Sequence, residues 1–271
     1  MASASTTDAA VARGRLEGVL QGIGPLAVAV SGGVDSMTLA HVAHAVLGSG
    51  LRVFHAASAA VPPEATGRVR RHADRQGWDL AVIDAGEVAD PRYAANPVDR
   101  CFFCKTDLYA AIRRHTALPM ASGANLDDLG DYRPGLRAAE QHGVRHPLVE
   151  AGIGKAEVRA IAAAMGLDDL AELPAAPCLS SRIETGLRVT PERLALVLEV
   201  ERLLDSRLPG VTRRCRLRAG GVVVELDADR LESLDTVGLG DDVASIARAH
   251  GLDGPVGFAP YRRGSAFLHG R

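Results

Sequence analysis

Several short stretches of this 271-residue chain carry residue types that suit chemistry more than packing. The first is Ser31-Gly32-Gly33-Val34-Asp35-Ser36. Its glycines let the backbone approach an anion and take dihedrals closed to other residues. Ser31 and Ser36 add hydroxyl donors. The apolar run at residues 25–30 reads as a strand buried on both faces, and residues 36–47 read as a helix. A strand, a glycine turn and a helix start together aim backbone N–H groups and the positive end of the helix dipole at a phosphate. No lysine closes the loop, so it differs from the phosphate loop of kinases and GTPases. Asp35 would repel a phosphate without a cation between them, and Mg2+ is the expected cation.

Asn96-Pro97-x-x-Arg100-Cys101-Phe102-Phe103-Cys104-Lys105 is the second stretch. The chain has four cysteines, the others being Cys178 and Cys215. Residues 1–8 lack the charged start and apolar stretch of a secretory signal, which predicts a cytoplasmic protein with reduced thiols. Cys101-x-x-Cys104 then fits four chemistries. With Cys178 it could hold a [4Fe-4S] cluster that leaves one iron open. With His115 or His146 it could bind structural zinc. It could be a redox dithiol with Cys178 passing a persulfide, or two packed thiols. Cys215, in a predicted strand, reads as a packed core cysteine.

A third stretch, residues 125–136, supplies Asp128 and Asp131 as carboxylates for a metal and Arg133 for a phosphate or carboxylate. Pro177-Cys178-Leu179-Ser180-Ser181-Arg182 is a fourth. Further on, Arg214 and Arg216 alternate along a predicted strand and so share one face. Arg213 and Arg218 read as solvent-facing. His41 and His44, on the helix after the glycine loop, read as packing or surface groups.

These stretches need a scaffold. Strands are expected at 25–30, 51–57, 80–84 and 119–123, alternating with helices at 10–23, 36–47, 62–76, 107–115 and 155–165. That alternation predicts an α/β fold built on a doubly wound parallel sheet. Residues 85–105 show no firm periodicity and several breakers, which predicts a mobile loop. The pattern changes near Gly186. Thr190-Pro191-Glu192 opens a helix. Strand-like runs at 215–218 and 222–226 flank Gly220-Gly221, a hairpin signal. Helical runs at 227–234 and 241–250 follow, then a last strand within 257–267. Two domains are expected, residues 1–186 and a smaller α+β unit at 187–271.

Composition bounds the partners. Apolar residues make up 47% and charged residues 24%, as in ordinary globular proteins. A net charge of −2 gives no basic field for nucleic acid. No apolar run approaches the roughly 18–20 residues of a membrane span. Neither nucleic acid nor membrane is therefore expected as a partner, and a homo-oligomer is.

Ser-Gly-Gly-x-Asp-Ser after an apolar strand resembles the pyrophosphatase loop of the PP-loop ATPases. These enzymes adenylylate an oxygen, release pyrophosphate, and let ammonia or sulfur displace AMP. The resemblance implies that Ser58 lies near adenine and Gly123 near the AMP portion. Together with the segments at Asn96–Lys105 and Cys178–Arg182, Asp131-Tyr132-Arg133-Pro134-Gly135-Leu136 is similar to the LarE-type sulfur transferases of nickel-pincer nucleotide biosynthesis. The likeness runs through nearly the whole chain. It implies ATP with Mg2+ as cofactor and a pyridinium-3,5-dicarboxylate mononucleotide as substrate, with sulfide or another sulfur donor. Within that family a single cysteine is sacrificed, or three cysteines hold a [4Fe-4S] cluster. Cys101, Cys104 and Cys178 match the cluster pattern. By the same resemblance Arg182, Glu201, Arg214 and Arg216 line the sulfur-transfer pocket. Lys105, next to Cys104, reads either as a group that neutralises the adenylate or as ordinary surface. A tRNA thiolase, an ammonia-using synthetase, sacrifice of Cys178 and a non-catalytic ATP- or cluster-binding regulator are the rival readings.

Overall fold

A computed structural model of the chain describes residues 6–130, 133–174, 177–232, 234–262 and 264–267. Helix α1 (Thr6–Ile23) precedes strand β1 (Leu26–Ala29), helix α2 (Val34–Leu47), strand β2 (Leu51–Ala56), helix α3 (Pro63–Gln76) and strand β3 (Asp79–Ile83). Next come α4 (Pro91–Ala94), α5 (Arg100–His115), β4 (Met120–Ser122), α6 (Pro134–Gln141), α7 (Pro147–Glu150), α8 (Lys155–Ala164) and α9 (Asp168–Ala171). The chain ends on α10 (Pro191–Arg207), β5 (Arg213–Arg218), β6 (Gly221–Leu226), α11 (Ala228–Leu231), α12 (Thr236–Ala249) and β7 (Val256–Pro260).

The first sheet is parallel with order β3-β2-β1-β4. Side chains alternate between its faces, and both faces are covered. Leu26 and Val28 of β1 join Leu51 and Val53 of β2 in a core shared with Leu16, Met37, Val69 and Ile161 from α1, α2, α3 and α8. Ala27 and Phe54 face the other way, onto Leu108 and Ile112 of α5 and Ala138 of α6. The expected α/β sheet is therefore present. Strand order reverses at β1, so the topological switch point lies between the carboxyl ends of β1 and β4, the place where open α/β sheets bind ligands.

The second sheet is small and mixed. β5 and β6 form the expected antiparallel hairpin, and β7 adds in parallel beside β6. Gly221 has φ of 131°, and a Cβ there would lie 2.3 Å from the Pro255 carbonyl, so only glycine fits. Thr190 caps α10 by accepting from the Arg193 N–H, with Pro191 in the first turn. Three expectations shift. The last strand stops at Pro260. The last helix begins at Thr236, five residues early, because Asp235 caps it at the Val237 and Gly238 N–H groups. The expected loop at 85–105 contains α4 and the first turns of α5.

Contacts divide the chain into two units. The first holds residues up to 58, 63–86 and 101–176; the second holds 59–62, 87–100 and 177–271. The second unit gathers separate stretches because early segments are bonded to later ones. Leu179 N–H donates to Ala60 O, and Val189 N–H to Ala94 O. Asn96, at φ 55°, aims its amide at the carbonyls of Ile183, Glu184 and Leu187. Among the described residues no helix is long and apolar enough to cross a membrane.

Behind α2 lies a buried polar chain. His41 Nε2 meets His72 Nδ1 at 2.8 Å, and His72 Nε2 meets Asp169 at 2.9 Å. The Trp78 ring packs edge-on against His41. Burial, then the nearby His72, pull the His41 pKa from 6.5 down to about 4. The folded state thus resists a proton that the unfolded chain accepts below about pH 6.5. Stability from this group is full above pH 6.5 and is lost as pH falls toward 4. Urea denaturation at pH 7.5 and pH 4.5 should differ by about 3 kcal/mol from His41. His41→Gln should flatten that slope; an unchanged slope would remove His41 as its source.

Candidate functional site

The loop after β1 is built by backbone constraints. Gly32 takes φ of 80°, and a Cβ there would sit 2.8 Å from the Ala65 carbonyl of α3. From the same helix, Arg68 donates to the Gly32 carbonyl at 2.8 Å. Ser36 Oγ accepts from the Ser31 N–H and donates to Gly33 O, while Ser31 Oγ accepts from the Gly33 N–H. The first helical bond of α2 runs from Met37 N–H to Gly33 O. The N–H groups just before it have no acceptor within the helix, as at any helix start, which is the feature an anion site uses.

β4 closes the other side. A Cβ on Gly123 would lie 2.6 Å from Ser36 N and Cα, so β4 ends directly on the start of α2. Asn125 then reaches Asp35 Oδ1 at 3.1 Å, and Lys155 Nζ reaches Asp35 Oδ2 at 2.5 Å. Lys155, the first residue of α8, joins this cluster although its sequence position gave no signal of it. Asp127 fixes the start of α8 by accepting the Lys155 N–H. Asp128 accepts from Asn125 N–H and pairs with Arg133 at 2.7 Å. Asp131 and Tyr132 lie outside the described residues. Ser58 sits two residues beyond β2, at the same carboxyl edge of the sheet.

Cys101 and Cys104 occupy the first turn of α5, three residues apart and thus on one face, both half-buried. A Cβ on Gly135 would lie 3.0 Å from Lys105 Cγ and 3.7 Å from Cys101 O, so the start of α6 rests on this turn. Arg137 lies over the Phe102 ring. His115, at the other end of α5, is about 16 Å along the axis from Cys104, too far to complete a zinc site with the pair.

In the second unit, Cys178 precedes a single 3-10 turn, Leu179–Arg182. Arg182 pairs with both oxygens of Glu201 at 2.9 Å and donates to the carbonyls of Pro177 and Cys178. Each of its guanidinium nitrogens has a protein acceptor. So does each of Arg216, through Glu225, Ser181 O and Arg262 O. These two arginines shape the Cys178 segment from within. Arg214 stacks over Tyr261 and is half-buried; burial, then Arg182 nearby, lower its pKa. Arg213 and Arg218 do not face solvent: they pair with Asp205 and with Glu184 and Glu225. Cys215 is fully buried, which pushes its thiol pKa up, as a packed core cysteine requires.

Arg100 stands apart. It is 2% exposed, lies near the Tyr93 and Phe267 rings, and bonds Asn96, yet its Nη2 has no partner among the described residues. Among the described residues no three His, Cys, Asp or Glu side chains gather within reach of one metal ion. Cys101 and Cys104 belong to the first unit and Cys178 to the second.

No family model matches the chain. An uncharacterized protein of Synechocystis sp. is 37% identical over 241 residues, covering 86% of this chain and 89% of that protein. The pyridinium-3,5-bisthiocarboxylic acid mononucleotide synthase of Lactiplantibacillus plantarum is 29% identical over 228 residues, 82% of each chain. A further uncharacterized protein, from Methanocaldococcus jannaschii, is 26% identical over 162 residues, 58% of this chain and 61% of its own. Relatedness that spans both units and reaches the synthase over most of its length means that the chain belongs to the LarE-type sulfur transferase family.

Proposed function

We propose that this chain is an ATP-dependent sulfur transferase. It adenylylates a carboxylate of pyridinium-3,5-dicarboxylic acid mononucleotide, releases pyrophosphate, and exchanges AMP for sulfur to give the thiocarboxylate. The observation that carries this reading is the Ser31–Ser36 loop with Lys155 beside it, in a chain related to a named thiocarboxylate synthase.

A carboxylate is a poor electrophile with a poor leaving group. In the first step its oxygen attacks the α-phosphorus of ATP and the bond to pyrophosphate breaks. The loop receives the leaving group through backbone N–H donors and the Ser31 and Ser36 hydroxyls, which exchange their internal bonds for phosphate oxygens. Lys155 supplies a cation at the loop mouth. Asp35 is the carboxylate that would hold Mg2+, and that ion would screen the remaining phosphate charge. Arg133 lies on the same edge for the adenylate phosphate.

In the second step sulfur attacks the activated carbonyl carbon and AMP departs with the C–O electron pair. Water must be kept out, since it would restore the carboxylate. Cys101 and Cys104, one turn apart on α5, suit two cluster ligands. Cys178 would be the third ligand. Such a [4Fe-4S] cluster would supply an exchangeable site for sulfide. Arg182 holds the Cys178 carbonyl, and Arg214 faces the substrate's charge.

Two outcomes are expected. Gly32→Ala must force a Cβ onto the Ala65 carbonyl at a positive φ, and pyrophosphate release with the pyridinium nucleotide should fall at least ~100-fold. Near wild-type release would remove the loop from the reaction. Absence of release in the wild type would favour a tRNA thiolase or an ammonia-using synthetase. Anaerobically purified protein should contain about four irons and turn over repeatedly with sulfide. A single turnover with loss of roughly 34 Da from Cys178 would replace the cluster by sacrifice of that cysteine.

A further inference from the structure

His146 has no role in the steps above, yet its place is specific. Residues 144–146 run beside β4 as an added parallel bridge: Arg145 N–H donates to Met120 O, and Ser122 N–H to Arg145 O. This sets His146 at the carboxyl end of β4, next to Gly123 and the start of α2. The Ser122 hydroxyl meets His146 Nδ1 at 3.0 Å. The backbone of His146 is tied as well, its N–H donating to Glu150. Nε2 has no protein partner among the described residues. Lys105, on the cysteine-bearing turn of α5, and Asp128, in the turn after β4, both lie within electrostatic reach of the ring.

We propose that His146 is the general base of the sulfur-transfer step, its ring oriented by Ser122. The assignment rests on the function proposed above. Nε2 takes an S–H proton of hydrogen sulfide as the C–S bond forms. The C–O bond to AMP breaks, and AMP leaves with the electron pair. A base at this point must be neutral near pH 7 and must present one free nitrogen while the other is anchored. Burial is the largest influence and holds the imidazole below its usual range. Glu150 and Asp128 act in the raising direction and Lys105 in the lowering one. Arg145 spends its charge on Glu150, which limits that carboxylate's pull.

The test separates the two half-reactions in the full chain. Wild type, His146→Gln and Ser122→Ala are charged with ATP and the pyridinium nucleotide while pyrophosphate is followed. Sodium sulfide is then added at pH 5.5 to 8.5, and thiocarboxylate is measured by mass. His146→Gln should lose sulfur transfer at least ~100-fold near pH 6, far more than it loses pyrophosphate release. Ser122→Ala should lose less, and free imidazole should restore transfer in His146→Gly. Identical pH profiles for wild type and His146→Gln, with pyrophosphate released normally, overturn the assignment alone. No pyrophosphate from the wild type overturns the function reading and this assignment with it.

Discussion

The geometry of the first unit depends on one backbone contact, between Gly123 at the end of β4 and Ser36 at the start of α2. A single added methyl group would overlap Ser36 N and Cα at 2.6 Å. Because the strand ends there, Asn125 falls within reach of Asp35, and the turn that follows brings Asp127 to the first N–H of α8. That in turn delivers Lys155 to Asp35. Asn125 and Lys155 thus converge on one carboxylate from two separate segments. The loop's hydroxyls satisfy one another meanwhile, so the cradle keeps its shape without a ligand and has donors to exchange when an anion arrives.

The second unit is organised by ion pairs of a different kind. In the β5–β6 register Arg214 lies opposite Glu225 and Arg216 opposite Val223. Arg216 nonetheless pairs with Glu225, its diagonal neighbour on the same face. Both members are nearly buried, at 5% and 3% exposed. Such a pair gains little net stability over apolar residues, but removing one partner strands the other. Its effect is to fix which way the strand's arginines point. Arg182 and Glu201 do the same for the Cys178 segment, whose carbonyl Arg182 holds.

Much of this was legible from sequence, and the gaps have physical causes. The strand–glycine–helix signal at residues 25–47 carries its own meaning, because apolar periodicity and positive-φ glycines act locally. Lys155 had no such signal; a lysine opening a helix reads as surface until the fold brings it 120 residues back to Asp35. Cys101 and Cys104 were expected in a loop because α4 is a four-residue helix and Pro97 breaks the pattern before α5. Helices that short are held by tertiary bonds, not propensity. Spacing put Arg214 and Arg216 on one face correctly, yet Arg216 finds its acceptors on other segments while Arg214 donates to the neighbouring Arg213 carbonyl, and periodicity distinguishes neither.

The two units use positive charge in opposite ways, and the proposed chemistry needs both. Lys155 and Arg133 are 40% and 44% exposed, so their pairs with Asp35 and Asp128 are weak and can be exchanged for phosphate. Arg182 and Arg216 are 4% and 5% exposed, and their bonds cannot be given up without leaving a buried carboxylate alone. Arg214 is intermediate. It is partly buried beside two other arginines, and its lowered pKa reports that its charge is disfavoured there. Glu201 and Tyr261 act in the opposite direction, so the Arg214 charge is set between opposing neighbours and is not fixed by one carboxylate, as those of Arg182 and Arg216 are.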